Sequence, residues 1–247
     1  MDFRFDGKRA IVTGAGKGIG RAIAKALAEG GAEVHALSRT REHLESLKGE
    51  GPEIKIYQID VTNWAKTKAV IKEIGPVDLL VNNAGTNQPT PFLDVTEEQF
   101  DLIMGVNVKA AFNVAQEVAR NMVAGERGGS IVNVSSQASQ RAFPAHVVYS
   151  SSKAALDMMT KSMAYELGKH KIRVNAVNPT VVLTELGRRD WEQGANAAKG
   201  DALKARIPLH KFAEVQDVVN TVLYLLSDKS DMINGSTLFV DGGLMTC

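Results

Sequence analysis

A chain of 247 residues, 44% hydrophobic and 23% charged, has the length and apolar content for a sizeable core, which excludes a disordered or fibrous protein. Its formal net charge of +1 offers no general attraction to nucleic acid or to an anionic membrane surface. The sole cysteine, Cys247, excludes an internal disulfide, and neither a secretory signal nor an apolar run of about 18 residues is present. A soluble, cytoplasmic protein is expected, with peripheral membrane attachment left open and no transmembrane span.

Short β-branched runs alternate with longer patterns of helical period. Arg9–Thr13 reads as a buried strand. Residues 19–30 read as a helix, with Ile19, Ile23, Ala26 and Leu27 on one stripe and Gly30-Gly31 as its stop. Glu33–Ser38 is a second strand, followed by a polar helix over Arg41–Lys48. Residues 54–59 form a third strand before a helix over Trp64–Ile74, and residues 79–81 a fourth. Helical patterns over 96–104 and 108–124 are separated by Asn107. Residues 130–134 make a fifth strand, 149–167 a long helix and 173–177 a sixth strand. Residues 184–205, punctuated by Gly187, Gly194 and Gly200, read as polar and irregular. A helix over 214–226 and a strand over Thr237–Val240 end the pattern.

Strands alternating with helices imply an α/β fold: a doubly wound, Rossmann-type parallel β-sheet with helices on both faces. No linker composition interrupts residues 1–247, so one domain is expected. Such a sheet binds its ligand beyond the carboxyl ends of its strands.

The first strand runs into TGAGKGIGR, with Gly14, Gly16, Lys17, Gly18, Ile19 and Gly20. The spacing Gly14-x-x-x-Gly18-x-Gly20 gives a tight turn, close approach to a pyrophosphate and a helix start that aims amide N–H groups at the anion. Placement between strand and helix favours a nucleotide over a plain turn. About 20 residues further on, an NAD site carries an acid for the ribose 2′-hydroxyl. This chain has Ser38, Arg39 and Thr40 there. A guanidinium with two hydroxyls, and Lys17 nearby, suits a 2′-phosphate, so NADP(H) is the expected cofactor. Metal ligands are not expected.

Tyr149 and Lys153 stand four residues apart, one helical turn on the same face. Tyr165 and Lys169 repeat that spacing, and Ser152 precedes Tyr165 by the same thirteen residues that separate Ser136 from Tyr149. Geometry separates the sets. On one continuous helix Ser152 and Tyr165 lie roughly 20 Å apart, whereas Ser136 leaves a strand end and its loop can fold back beside Tyr149. Tyr165 then reads as a buried helix position and Lys169 as a charge favouring the helix dipole.

Together TGAGKGIG at 13–20, Asp60-Val61, NNAG at 82–85, Asn107, Ser136 and Tyr149-x-x-x-Lys153 resemble the short-chain dehydrogenase/reductase family along the whole chain. The resemblance implies a catalytic set of Asn107, Ser136, Tyr149 and Lys153. It further implies adenine contact at Asp60 and Val61, a cofactor cleft at Asn83, Ala84 and Gly85, and nicotinamide contacts at Val182 and Thr184. Thr184 is equally placed to cap the next helix. The segments VSSQASQRA, SKAALDMMTKSMAYELGKHKIRVNAVNPTVV, RIPLHKFAEV and GSTLFVDGG narrow the likeness to NADPH-using reductases of small ketoses and α-dicarbonyls. Pro179-Thr180, where many relatives carry Pro-Gly, agrees with that narrower group.

A free phenol, with a pKa of about 10, exchanges protons poorly near neutrality, and an adjacent ammonium lowers that value. Tyr149 is thus expected as general acid, Lys153 as its electrostatic partner, Ser136 as the donor to a substrate carbonyl, and Asn107 as the holder of a water beside Lys153. Gln137 and His146 are placed to hydrogen-bond substrate hydroxyls. Trp191 is either a lid over the substrate or a buried anchor. By resemblance the helices over 108–124 and 149–167 pair across subunits in a homotetramer. A reductase of 3-oxoacyl thioesters or steroids, and a dinucleotide-binding scaffold without activity, are the alternatives; polar Gln137 and His146 count against the first and the complete catalytic set against the second.

Overall fold

The computed structural model describes residues 3–51, 53–193 and 197–246. Gly194 and Cys247 lie outside the described residues. Seven strands form one parallel sheet: β1 (Arg9–Thr13), β2 (Glu33–Ser38), β3 (Ile54–Gln58), β4 (Leu79–Asn82), β5 (Gly129–Val134), β6 (Ile172–Pro179) and β7 (Thr237–Val240). Their order is β3-β2-β1-β4-β5-β6-β7, so the winding reverses between β1 and β4.

Side chains alternate across the sheet, and each face has its own core. Ala10, Val12, Val34, Ala36, Val81 and Val132 pack on α1 (Gly18–Glu29), α2 (Arg41–Lys48) and α9 (Val215–Leu226). Ile11, Leu37, Leu80, Ile131 and Val174 pack on α3 (Trp64–Ile74), α5 (Ala111–Gly125) and α6 (Val147–Leu167). Strands buried on both faces read as apolar runs rather than as alternation, which is why they are visible in the sequence. Strand and helix ends differ from expectation by a residue or two, as at β5, which starts at Gly129, and α6, which starts at Val147.

Three expectations need correction. The described part of 184–205 is not irregular: α7 (Glu185–Trp191) and α8 (Ala197–Lys204) lie there, over a small apolar cluster of Leu183, Ile207, Phe212 and Leu244. Gly187 and Gly200 do not break helices. They sit where a side chain would strike the carbonyls of Val182 and Trp191. Asn107 does not separate two helices either. From α4 (Glu97–Met104) the chain continues through a wide π-helical turn, Gly105–Ala110, directly into α5. Tyr165 is 91% exposed rather than buried, because it lies on the face of α6 turned away from the sheet.

At the amino end of the sheet, His35 on β2 is 1% exposed. Its Nε2 lies 2.9 Å from Glu33 Oε1 and its Nδ1 3.2 Å from the Tyr57 hydroxyl. Glu33 also pairs with Arg9 at 3.0 Å and Lys55 at 2.9 Å. Burial, and then the charge of Arg9, push the imidazole down to about 4. The unfolded chain binds that proton near the ordinary value of about 6.5, so stability is fully present above it and falls as pH drops towards 4. At most about 3 kcal/mol is involved. The thermal midpoint of the wild type is expected to drop between pH about 7 and about 5, with a clearly shallower drop in His35→Gln. Calorimetry showing parallel curves would refute this.

Candidate active site

The site begins where the winding reverses. The Thr13 hydroxyl at the end of β1 accepts the N–H groups of Asn83 and Ala84, each at 3.0 Å, from the end of β4. Asn83 Nδ2 donates back to Thr13 O at 3.0 Å and Gly14 O at 3.2 Å. Gly14 has φ +65°, a left-handed turn that a glycine adopts without strain. A Cβ on Gly20 would collide with Asn83 Nδ2 and the Gly14 carbonyl. The glycine loop is thus pressed flat against the β4 end. Beyond it α1 starts at Gly18 with no side-chain cap and no acidic residue in its first turn. This is a cradle that fits a pyrophosphate.

On the other side of the loop, a Cβ on Gly16 would lie 2.7 Å from Ser38 Oγ. Lys17, Arg39 and Thr40 are exposed around that contact. Thr40 precedes α2 without using its side chain as a cap. Ile59 N donates to Ser38 O at 2.9 Å, which brings the β3 end, with Asp60 and Val61, alongside. Asp60 Oδ1 accepts Thr62 N at 3.0 Å and Thr62 Oγ1 at 2.7 Å, and Val61 is buried. Thr184 accepts Gly187 N at 3.1 Å as the cap of α7, and its methyl group would lie 3.4 Å from a Cβ on Gly18. Both roles considered for Thr184 are therefore compatible with its position. Val182 bridges to Ala213 just before it.

The second half of the site hangs on β5. Lys153, buried on α6, donates from Nζ to Val134 O at 2.9 Å. Burial pulls its ammonium down to about 8, against the charge of Asp157, which favours the protonated form. The same Nζ lies 5.7 Å from the ring centroid of Tyr149. Ser136, two residues beyond β5, accepts Ala138 N on its Oγ at 3.1 Å, and its side chain lies close enough to the Tyr149 phenol to favour the phenolate. For the polypeptide alone, the expected lowering of that phenol is not found. Burial pushes it above 10, and the neighbouring Ser136 side chain only partly offsets this. Spacing supplies the neighbour but not the desolvation.

Asn107, in the wide turn, has a fully engaged carboxamide. Oδ1 accepts Thr86 N at 2.8 Å, and Nδ2 donates to Thr86 O and Ser152 Oγ, each at 2.9 Å. A Cβ on Gly85 would lie 3.5 Å from both Asn107 Oδ1 and Lys153 Nζ, so these residues flank Gly85. His146 sits edge-on to Tyr149 with ring centroids 6.1 Å apart, its Nδ1 2.6 Å from Pro144 O. Ala145 before it holds φ +61°. Gln137 is buried, and its Oε1 has no hydrogen-bond partner among the described residues. Trp191 packs edge-to-face on Phe212 at 6.2 Å, an anchor of the small cluster.

Asp157 and Asn178 are absent from the sequence reading. Asn178 Nδ2 donates to Asp157 Oδ2 at 2.8 Å, Ser139 Oγ at 2.9 Å and Ser136 O at 3.2 Å, tying α6 and β6 to the Ser136 turn. The four-residue step from Lys153 to Asp157 was the available signal for the first. Nothing local announces the second.

This fold and site define a dinucleotide-binding oxidoreductase, and the comparisons agree: the chain belongs to the short-chain dehydrogenase/reductase family. A family model described as enoyl-(acyl carrier protein) reductase matches residues 14–245. L-xylulose reductase of Mesocricetus auratus is 54% identical over 245 residues, covering 99% of each chain. D-erythrulose reductase of Gallus gallus is 56% identical over 244 residues, covering 99% of this chain and 98% of its own. A gluconate 5-dehydrogenase from Burkholderia cenocepacia, solved with NADP and tartrate, is 36% identical with a TM-score of 0.91, covering 100% of this chain and 98% of its own.

Gly20→Ala must displace Asn83 and Gly14 together. Calorimetric titration is expected to show NADPH affinity reduced by more than about a hundredfold, roughly 3 kcal/mol. Affinity within about threefold of wild type would show that the loop has slack.

Proposed function

We propose that this chain is an NADP(H)-dependent carbonyl reductase that converts L-xylulose to xylitol and small α-dicarbonyls to hydroxyketones. The observation that carries the reading is the Ser136–Tyr149 pair above the buried Lys153 ammonium, in a chain whose full length matches reductases of two short ketoses.

Lys17, Ser38, Arg39 and Thr40 hold the ribose 2′-phosphate, and the amides from Gly14 to Gly20 hold the pyrophosphate. Asp60 and Val61 border the adenine; Asn83, Ala84, Gly85, Val182 and Thr184 border the nicotinamide end. Bound NADPH supplies the hydride that reaches the carbonyl carbon. Ser136 donates a hydrogen bond to the carbonyl oxygen and fixes it beside Tyr149. The raised phenol is fully protonated at neutral pH, so it carries the proton that this oxygen must take as its negative charge grows. Lys153, still ammonium at that pH, stabilises the phenolate left behind and holds the ribose hydroxyls. Solvent returns the proton through a water beside Lys153. With the Asn107 carboxamide engaged, the main chain of its wide turn is what remains to hold that water. Gln137 and His146 offer polar atoms to the substrate's hydroxyls or second carbonyl, which favours a small polar ligand over an acyl chain or steroid.

The full chain acts as one domain, supported by the common sheet, and assembles as a homotetramer. An apolar groove lined by Phe112, Ala119 and Val123 of α5 and Met163 and Leu167 of α6 supports pairing of these helices. No helix among the described residues is long and apolar enough to cross a membrane, which fits a cytoplasmic location.

Tyr149→Phe removes the proton but not the ring. Turnover of L-xylulose and diacetyl, followed by NADPH absorbance, is expected to fall by about a thousandfold with NADPH binding intact. In the wild type kcat declines as pH rises through about 8, where Lys153 loses its charge. Undiminished turnover by Tyr149→Phe would overturn the mechanism. Faster turnover of acetoacetyl thioesters than of either small carbonyl would overturn the substrate class.

A further inference from the structure

Residues that would meet a 2′-phosphate come from two separate pieces of backbone. Lys17 belongs to the glycine loop, and Ser38, Arg39 and Thr40 belong to the turn between β2 and α2. Two cations can share one phosphate only if these pieces keep a fixed register. Contact sets one side of that register: Gly16 is so close to the turn that a Cβ would lie 2.7 Å from Ser38 Oγ and 3.1 Å from His43 Cβ.

Arg21 sets the other side. It is the fourth residue of α1, and its guanidinium reaches across to α2. Nη1 donates to Gly16 O at 3.3 Å and to His43 O at 3.0 Å. Nη2 donates to Ser46 Oγ at 2.9 Å and pairs with Glu50, whose second oxygen takes Lys25 at 3.4 Å. One planar, permanently charged fork thus holds the glycine loop, the body of α2 and the residues beyond it. The guanidinium is largely sheltered and engaged by these acceptors, so it is not offered to a ligand. The pyrophosphate cradle is fixed independently, by Thr13 and Asn83.

We propose that Arg21 is a positioning residue for coenzyme choice: it clamps the glycine loop to α2 so that Lys17 and Arg39 converge on a 2′-phosphate. The inference rests on the roles given above to those two cations. Without the clamp the loop and α2 can separate, and NADPH loses a contact that NADH never makes.

Titration calorimetry of NADPH and NADH against Arg21→Gln and Arg39→Gln tests this. Arg21→Gln is expected to weaken NADPH about tenfold while NADH stays within about twofold. Equal effects on the two coenzymes, or none, would overturn the proposal. Arg39→Gln separates the two levels. If it leaves the NADPH-to-NADH ratio unchanged, the assigned phosphate site is wrong. If it collapses that ratio while Arg21→Gln preserves it, only the clamp is wrong. Should Arg21→Gln not fold, Ser46→Ala with Glu50→Gln cuts half of the clamp and leaves Arg21 in place. A selective loss of NADPH affinity in that variant supports the proposal, and an unchanged ratio overturns it.

Discussion

A lysine ammonium held under the carboxyl end of β5 is the constraint around which the site is arranged. Burying such a charge is costly unless dipoles and a counter-charge surround it. The Val134 carbonyl supplies the dipole at 2.9 Å, and Asp157, one turn along α6, supplies the charge. Both depend on α6 lying across β5 at one particular register, which Ser135 also helps to set through its bond to the Lys153 carbonyl at 3.3 Å. Tyr149 is the residue one turn earlier, so whatever fixes Lys153 also aims the phenol. The bond from Asn178 to Asp157 extends the same support to the turn that carries Ser136. The Tyr149 phenol, the Lys153 ammonium and the Ser136 hydroxyl are therefore parts of one packed joint.

The sheet places this joint beside the glycine loop. Reversal of the winding between β1 and β4 opens a crevice, and Thr13 and Asn83 close its floor. Further polar bonds cross the sheet in the next layer. Asn82 Nδ2 donates to Asn133 Oδ1 at 3.0 Å, and Asn133 Nδ2 to Thr160 Oγ1 at 2.8 Å. Each strand end that borders the crevice is thus pinned to its neighbour or to α6. A crevice whose rims are pinned in this way needs little adjustment to receive a ligand, which is what preorganisation requires.

Much of this was legible in the chain. Strands buried on both faces appear as apolar runs, and the glycine loop between strand and helix limits its ligand to something that backbone can touch. The separation of Tyr165 from Ser152 is readable without knowing that Tyr165 is exposed, because distance along a helix is a matter of rise per residue alone. What stayed hidden rests on partners distant in sequence. The wide turn at Asn107 is knitted to Thr86 and Ser152, 21 and 45 residues away. Asp157 and Asn178 meet across 21 residues. The glycines of 184–205 look like helix breakers until the carbonyls they approach are known. The phenol's upward shift is hidden as well, because four-residue spacing reveals an ammonium and not the dryness around the ring.

The most direct test follows Lys153 itself. Its Cε resonance, assigned by loss in Lys153→Met, can be titrated by carbon NMR in the wild type and in Asp157→Asn. The account predicts a midpoint near 8 in the wild type, and a lower one once the carboxylate is neutralised. A midpoint at the ordinary lysine value of about 10.4, or one indifferent to Asp157, would contradict it.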